Sequence, residues 1–187
     1  MDDTKRGIRV ALIGVGNCAS ALVQGCTYYS GRGIERPGLM NTSLAGYLPE
    51  HLVFATAFDI DVRKVGRDLS EAIYCAPNCT ARFVPSLDPL GCEVRAGYEV
   101  DSVGAFPKDT PEERRFVPIA PVYGDPAEAR RAVIRELERV RAEIVVNYLP
   151  VGSDQNARFY AECALEAGCG FVNAMPALMA RDMGEQF

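Results

Sequence analysis

Ile8-Arg9-Val10-Ala11-Leu12-Ile13-Gly14-Val15-Gly16-Asn17-Cys18-Ala19 is the stretch on which the fold turns. Its first six residues are short, apolar and rich in β-branching, which predicts a buried strand. They run straight into two glycines. Beyond these, Ala19, Leu22, Val23, Cys26 and Tyr29 recur at helical spacing, so a helix is expected to begin near Asn17. Strand, glycine bend and helix in that order give Gly14-x-Gly16-x-x-Ala19 a meaning that three small residues alone would lack. In such a bend the first glycine permits a tight turn and the second lets a pyrophosphate approach the backbone. The third small residue lets helix pack on strand. The helix N-terminus then offers free N–H groups and partial positive charge to the phosphates. A purely structural tight turn is the competing reading.

Working outward, residues 30–50 are punctuated by glycine and proline and read as an irregular insertion. A second buried strand follows at Leu52–Phe58 and ends at Asp59. Val62, Val65, Leu69 and Ile73 predict an amphipathic helix from about Asp61, carrying Lys64. From Cys75 to Pro121 seven prolines break the pattern. Only short strands near Ala81–Val84 and Glu93–Arg95 are expected there, with a solvated charge run at Lys108–Arg115. A connection this long suggests a lid or a partner-contacting excursion. Asp125-Pro126-Ala127-Glu128 is a helix start, with a capping carboxylate, proline at the first position and glutamate at the third. A strand at Glu143–Leu149, a helix over 154–167 stopped by Gly168 and a strand at Gly170–Ala174 complete the reading. Alternating strands and helices predict an α/β, Rossmann-type doubly wound parallel sheet with helices on both faces, one domain over residues 1–187 with irregular insertions near 30–50 and 76–121.

Composition narrows the function classes. The chain has 187 residues, 48% of them apolar, 24% charged, and a formal net charge of −5. No apolar run is long enough to span a membrane, and the N-terminus lacks a signal-peptide stretch. An acidic chain without a basic tract is poorly suited to nucleic acid. Seven cysteines, an odd number without Cys-x-x-Cys, fit a reduced cytoplasmic protein rather than a disulfide framework. One histidine, His51, leaves multi-histidine metal sites without ligands, and Cys75 with Cys79 lack a second pair, so no metal is expected.

Three places carry candidate chemistry. The first is the glycine bend. The second is Asp59, at the carboxyl end of the second strand, where a carboxylate can accept hydrogen bonds from both ribose hydroxyls and repel a 2′-phosphate, favouring NAD; nearby Arg63 argues the other way. Its separation from Gly14 exceeds the ~20 residues usual for that role, and the 30–50 insertion accounts for the excess. The alternative is an aspartate that caps the following helix, a role Asp61 serves equally well. The third is Tyr148-Leu149-Pro150-Val151-Gly152-Ser153 together with Asn173-Ala174-Met175-Pro176, both at carboxyl ends of strands, where open α/β sheets bind ligands. The first of these turns lines the nicotinamide half of a dinucleotide, or is an ordinary connection with Ser153 as N-cap.

Taken jointly and in order, Ile13-Gly14-Val15-Gly16-Asn17-Cys18-Ala19, Pro37-Gly38-Leu39-Met40, Phe58-Asp59-Ile60-Asp61-x-x-Lys64-Val65-Gly66-x-Asp68-Leu69, Tyr148–Ser153 and Phe171-Val172-Asn173-Ala174-x-Pro176 resemble the amino-terminal, NAD-binding half of the short prokaryotic myo-inositol-1-phosphate synthases. The resemblance implies an NAD-dependent intramolecular lyase or isomerase of inositol and phospholipid biosynthesis, cytoplasmic and homo-oligomeric, whose substrate is a small sugar phosphate. It implies conversion of D-glucose 6-phosphate to 1L-myo-inositol 1-phosphate by oxidation, enolisation, aldol closure and reduction. By family position Gly14, Gly16, Asn17, Cys18, Asp59 and Tyr148 are expected to touch NAD. Ala120, Leu149, Pro150 and Gly152 are further cofactor-side candidates, and Asn173 is a substrate-side one. The family's catalytic lysines lie in a second half that this chain does not contain, so no catalytic residue is assigned and the chain alone is expected to be inactive. A non-catalytic NAD-binding or regulatory module, and a different NAD-dependent oxidoreductase, are the competing readings. A reading frame continuing past Phe187 and a panel of sugar phosphates separate them.

Overall fold

The structure is a computed structural model describing residues 7–31, 37–100 and 110–177. Five strands form one sheet: β1 (Ile8–Ile13), β2 (Leu52–Asp59), β3 (Val94–Ala96), β4 (Ile144–Asn147) and β5 (Gly170–Asn173). Their spatial order is β3-β2-β1-β4-β5, and every pair is parallel. The chain steps outward from β1 to β3, then crosses back to β4 beside β1. That reversal opens a crevice at the carboxyl ends of β1 and β4, the place where doubly wound sheets take ligands.

Helices α1 (Asn17–Tyr29), α2 (Leu69–Ala72), α3 (Pro126–Arg139) and α4 (Asp154–Glu166) cover both faces. Because successive strand residues face opposite ways, β1 feeds two cores. Val10 and Leu12 pack with Ala19, Val23 and Cys26 of α1 and with Leu69, Ala72 and Ile73. Ala11 and Ile13 pack with Val133, Ile134 and Leu137 of α3 and with Tyr160, Cys163 and Ala164 of α4. A strand buried on both sides needs a continuous apolar run, and β1 supplies one. The α/β expectation holds. So does the start of α3: Asp125 Oδ1 accepts from the Glu128 N–H at 2.7 Å, and Glu128 reaches back to the Gly124 N–H.

The second helix departs from its expected start. One turn forms at Asp61–Val65, but Gly66 then takes a left-handed φ of +83°, and its N–H goes to Val94 O rather than up a helix. Leu69 N–H likewise goes to Cys92 O, so α2 begins only at Leu69, capped by Asp68. Lys64 therefore sits in a turn, not on a helix. No strand forms at Ala81–Val84, because the Phe83 and Val84 amides donate to Oε1 of the buried Gln24. The strand expected near Glu93–Arg95 is β3, shifted by one residue, and β4 is shorter than the expected Glu143–Leu149. The Lys108-Asp109 end of the charge run and the last ten residues lie outside the described part, as do Lys5 and Lys108.

Candidate functional site

A cavity of about 750 Å³ occupies the crevice. Gly14, Gly16, Asn17, Cys18, Asp59, Tyr148, Leu149 and Pro150 line it together, although they come from positions up to 136 apart in sequence. The structure brings these eight candidates to one place. Gly152, Ala120 and Asn173 are not in its lining. Ala120 follows Ile119, whose N–H bonds Ile60 O at the end of β2, so it stands close by. Asn173 spends its amide N–H groups on Met175 O and Ala177 O, and its Oδ1 accepts from Asn147. It shapes a neighbouring turn instead of facing the cavity.

The two glycines do different jobs. Gly14 has φ +87°, and a Cβ there would lie 3.1 Å from Tyr148 O, so both conformation and packing demand glycine. Gly16 has an ordinary φ of −99°, and a Cβ there would meet nothing within 4 Å. Nothing in the protein itself requires glycine there; a side chain at Gly16 would occupy the cavity. Gly16 is the N-cap of α1, without a side-chain capping bond and without an acidic residue in the first turn. The helix start is thus left for an external anion.

Asp59 ends β2, is 8% exposed and uses both carboxylate oxygens. Oδ2 accepts from the Val15 N–H inside the bend at 2.7 Å, and Oδ1 accepts from the Asp61 N–H at 2.8 Å. Asp59 therefore caps the turn that follows and also anchors the bend. Each oxygen keeps acceptor capacity, since a carboxylate offers about four lone-pair sites. Asp61 takes Arg63: Nε to Oδ1 at 2.8 Å and Nη2 to Oδ2 at 2.6 Å, with Val117 N–H also on Oδ2. Arg63 also donates to Arg115 O. The Arg63 guanidinium is held by Asp61 and does not line the cavity.

Charge is concentrated behind the bend. Lys64 is fully buried and donates to Val15 O at 2.7 Å and to Pro77 O at 3.3 Å. Burial pushes its ammonium below the ordinary lysine range, and the Asp59 and Asp61 carboxylates oppose that drop. For Asp61 burial acts upward, but the Arg63 side-chain bond and the Val117 and Arg63 amides outweigh it and hold the carboxyl below its usual range. Burial raises the Tyr148 hydroxyl, which faces the start of α1.

Several lining groups were invisible to the sequence reading. Asn17 Oδ1 accepts from the Cys79 N–H at 2.9 Å, which fixes Pro77-Asn78-Cys79 as a wall of the cavity. Residues 97–99 form another wall, held from α4. Tyr160 Oη accepts from the Tyr98 N–H at 2.8 Å, and Asn156 Oδ1 accepts from the Val100 N–H at 2.7 Å. Asn147, fully buried, donates to Asn173 Oδ1 at 2.9 Å and accepts from the Leu149 N–H at 3.1 Å, joining the two turns after β4 and β5. An asparagine ending an otherwise apolar buried strand was the available signal. Ser153 stands at the N-cap of α4 but makes no capping side-chain bond, so that alternative holds in position only. His51 accepts from the Leu48 N–H and is absent from the cavity lining.

The residues present fit a dinucleotide. An anion-ready helix start, a glycine whose missing Cβ leaves open space and a carboxylate with spare acceptor capacity share one cavity. All seven cysteines are free thiols, and among the described residues no helix is long and apolar enough to cross a membrane.

No family model matches the chain. The inositol-3-phosphate synthase of Mycolicibacterium smegmatis is 40% identical over 177 residues, covering 94% of this chain and 45% of the relative. The crystal structure of Ari2 superposes with a TM-score of 0.78 at 31% identity, covering 97% of this chain and 51% of that one. A myo-inositol-1-phosphate synthase-related protein from Thermotoga maritima shares the fold, with a TM-score of 0.64 at 20% identity over 94% of this chain and 50% of its own. The chain spans about half the length of the relatives it matches. Over that span the resemblance read from the sequence is borne out: the chain is similar to the inositol-3-phosphate synthases.

Proposed function

We propose that this chain is the NAD platform of an inositol-3-phosphate synthase-type enzyme that converts D-glucose 6-phosphate to 1L-myo-inositol 1-phosphate, cytoplasmic and assembled as a homo-oligomer. The observation that carries the reading is the open space at Gly16 beside an uncapped helix start, with Asp59 next to the bend in the same cavity. Bound NAD supplies the hydride acceptor for oxidation of the sugar and returns the hydride to the ring ketone. The chain's own residues bind and orient. The first N–H groups of α1 receive the diphosphate. Asp59 accepts from the ribose hydroxyls and disfavours a 2′-phosphate by charge. Tyr148, Leu149 and Pro150 wall the end nearest β4 and β5, where the sugar phosphate is delivered. Enolisation needs a proton donor or cation at the developing enolate oxygen. Lys64, the one lysine among the described residues, is committed to two backbone carbonyls, so that group comes from outside this set.

Gly16→Val tests the reading cleanly, because its backbone conformation accepts valine and the added atoms enter the cavity alone. Calorimetry is expected to show NAD binding to the 187-residue protein and at least tenfold weaker binding to the variant, with an unchanged Tm. Absence of NAD binding to the wild-type chain overturns the proposal. Glucose 6-phosphate is expected to remain unconverted by these residues alone.

A further inference from the structure

A fully buried lysine is rare, because its charge must be compensated. Lys64 has a specific arrangement around it. Its Nζ lies 2.7 Å from Val15 O and 3.3 Å from Pro77 O, both in segments flanking the cavity, while its own side chain is not part of the lining. The Val15 N–H is held from the other side by Asp59 Oδ2 at 2.7 Å. The residue at the centre of the bend is thus gripped at its amide by an anion and at its carbonyl by a cation. We propose that Lys64 is a positioning residue for the diphosphate of a dinucleotide, acting through the Val15 carbonyl to aim the Gly16 N–H into the cavity; this rests on the dinucleotide reading above.

The Val15–Gly16 peptide is trans, so its C=O and N–H point in opposite directions. Fixing the carbonyl on a buried ammonium fixes the N–H outward, toward the side where a Gly16 Cβ would meet only open space. A hydrogen bond to a charged donor is about twice as strong as a neutral one, and it polarises the peptide so that the opposite N–H donates better. The second bond, to Pro77 O, ties the 77–79 wall to the same ammonium and keeps the two sides of the phosphate region in register. An apolar side chain of equal volume would fill the space and do neither.

The test compares Lys64→Met with the wild-type chain toward two probes, NAD by calorimetry and adenosine by ligand-observed NMR. NAD affinity is expected to fall at least tenfold while adenosine affinity stays unchanged, since adenosine carries no phosphate. A loss common to both probes, or no loss of NAD affinity, overturns the proposal. Should the variant not fold, the wild-type protein labelled with 15N-lysine decides. A slowly exchanging Lys64 ammonium signal is expected to shift with NAD and not with adenosine, and a signal indifferent to NAD overturns the proposal equally. Wild-type protein that binds neither probe refutes the dinucleotide reading itself, a result distinct from either of these.

Discussion

Two neighbouring parts of one cavity wall are held by opposite means. The glycine bend is clamped by ions: Asp59 on the Val15 amide, Lys64 on its carbonyl, and Asp61 with Arg63 immediately behind. The turns after β4 and β5 are clamped by a neutral pair, Asn147 on Asn173, with the Leu149 amide on Asn147 Oδ1. Buried ions hold geometry stiffly but are costly once a partner is removed, whereas buried amides cost less and respond little to pH. Charge is thus spent where a charged ligand group would sit. The part proposed to face the nicotinamide and the substrate is built from amides and apolar walls.

The comparison breaks most visibly at Asp59. Asp59→Ala removes the acceptor of two amides and strips a counter-charge from Lys64. Each buried amide left without its acceptor costs about 1–3 kcal/mol, and the lost counter-charge adds to that. Urea denaturation is expected to show a loss of that order, with NAD binding abolished. A loss under about 1 kcal/mol, the size typical of a single neutral hydrogen bond, would mean that the ionic clamp contributes far less than its geometry implies.

Asn147→Ala is the matching break at the neutral part. It leaves the half-buried Leu149 N–H without this partner, at a cost of about 1–3 kcal/mol, while the exposed Asn173 Oδ1 keeps the Met175 N–H. The expected destabilisation is smaller than for Asp59→Ala. NAD binding should weaken moderately, because the bend at Gly14–Gly16 remains intact.

What was legible in the sequence follows the same division between local and distant causes. The start of α3 needs only Asp125, Pro126 and Glu128, neighbours whose roles are fixed by the helix itself, and it formed as read. The run of β1 into Gly14 and Gly16 was legible because its double-sided burial and its bend are both local. The helix expected from Asp61 failed because Val62, Val65, Leu69 and Ile73 have helical spacing, while the backbone there bonds across to Cys92 and Val94, a quarter of a hundred residues away. Lys64 escaped for a related reason. A lysine's ordinary place is in solvent, and only the fold brings two aspartates and two carbonyls around it. The joint motif pattern showed kinship, but the walls at 77–79 and 97–99 are set by Asn17, Tyr160 and Asn156 from distant elements.

Acid separates the two clamps by the smallest effect. The Asp61 carboxyl titrates below its ordinary value of 3.8 in the folded chain, because the Arg63 bonds and the Val117 amide outweigh the upward effect of burial. A group with a depressed folded pKa binds fewer protons folded than unfolded, so its stabilisation is fully present above the unfolded value. It disappears as pH falls through the folded one. The urea midpoint of the wild-type chain is therefore expected to decline below about pH 4. In Asp61→Asn that decline should be shallower, because one of the titrating clamps is gone. In Asn147→Ala the curve should keep the wild-type shape and lie lower at every pH, since neither asparagine titrates. Equal slopes in Asp61→Asn and wild type would show that acid acts elsewhere, for example through Asp68 or Glu136, whose carboxyls are also held below their usual range against the upward pull of burial, Asp68 by Ser70 and Glu136 by Arg139.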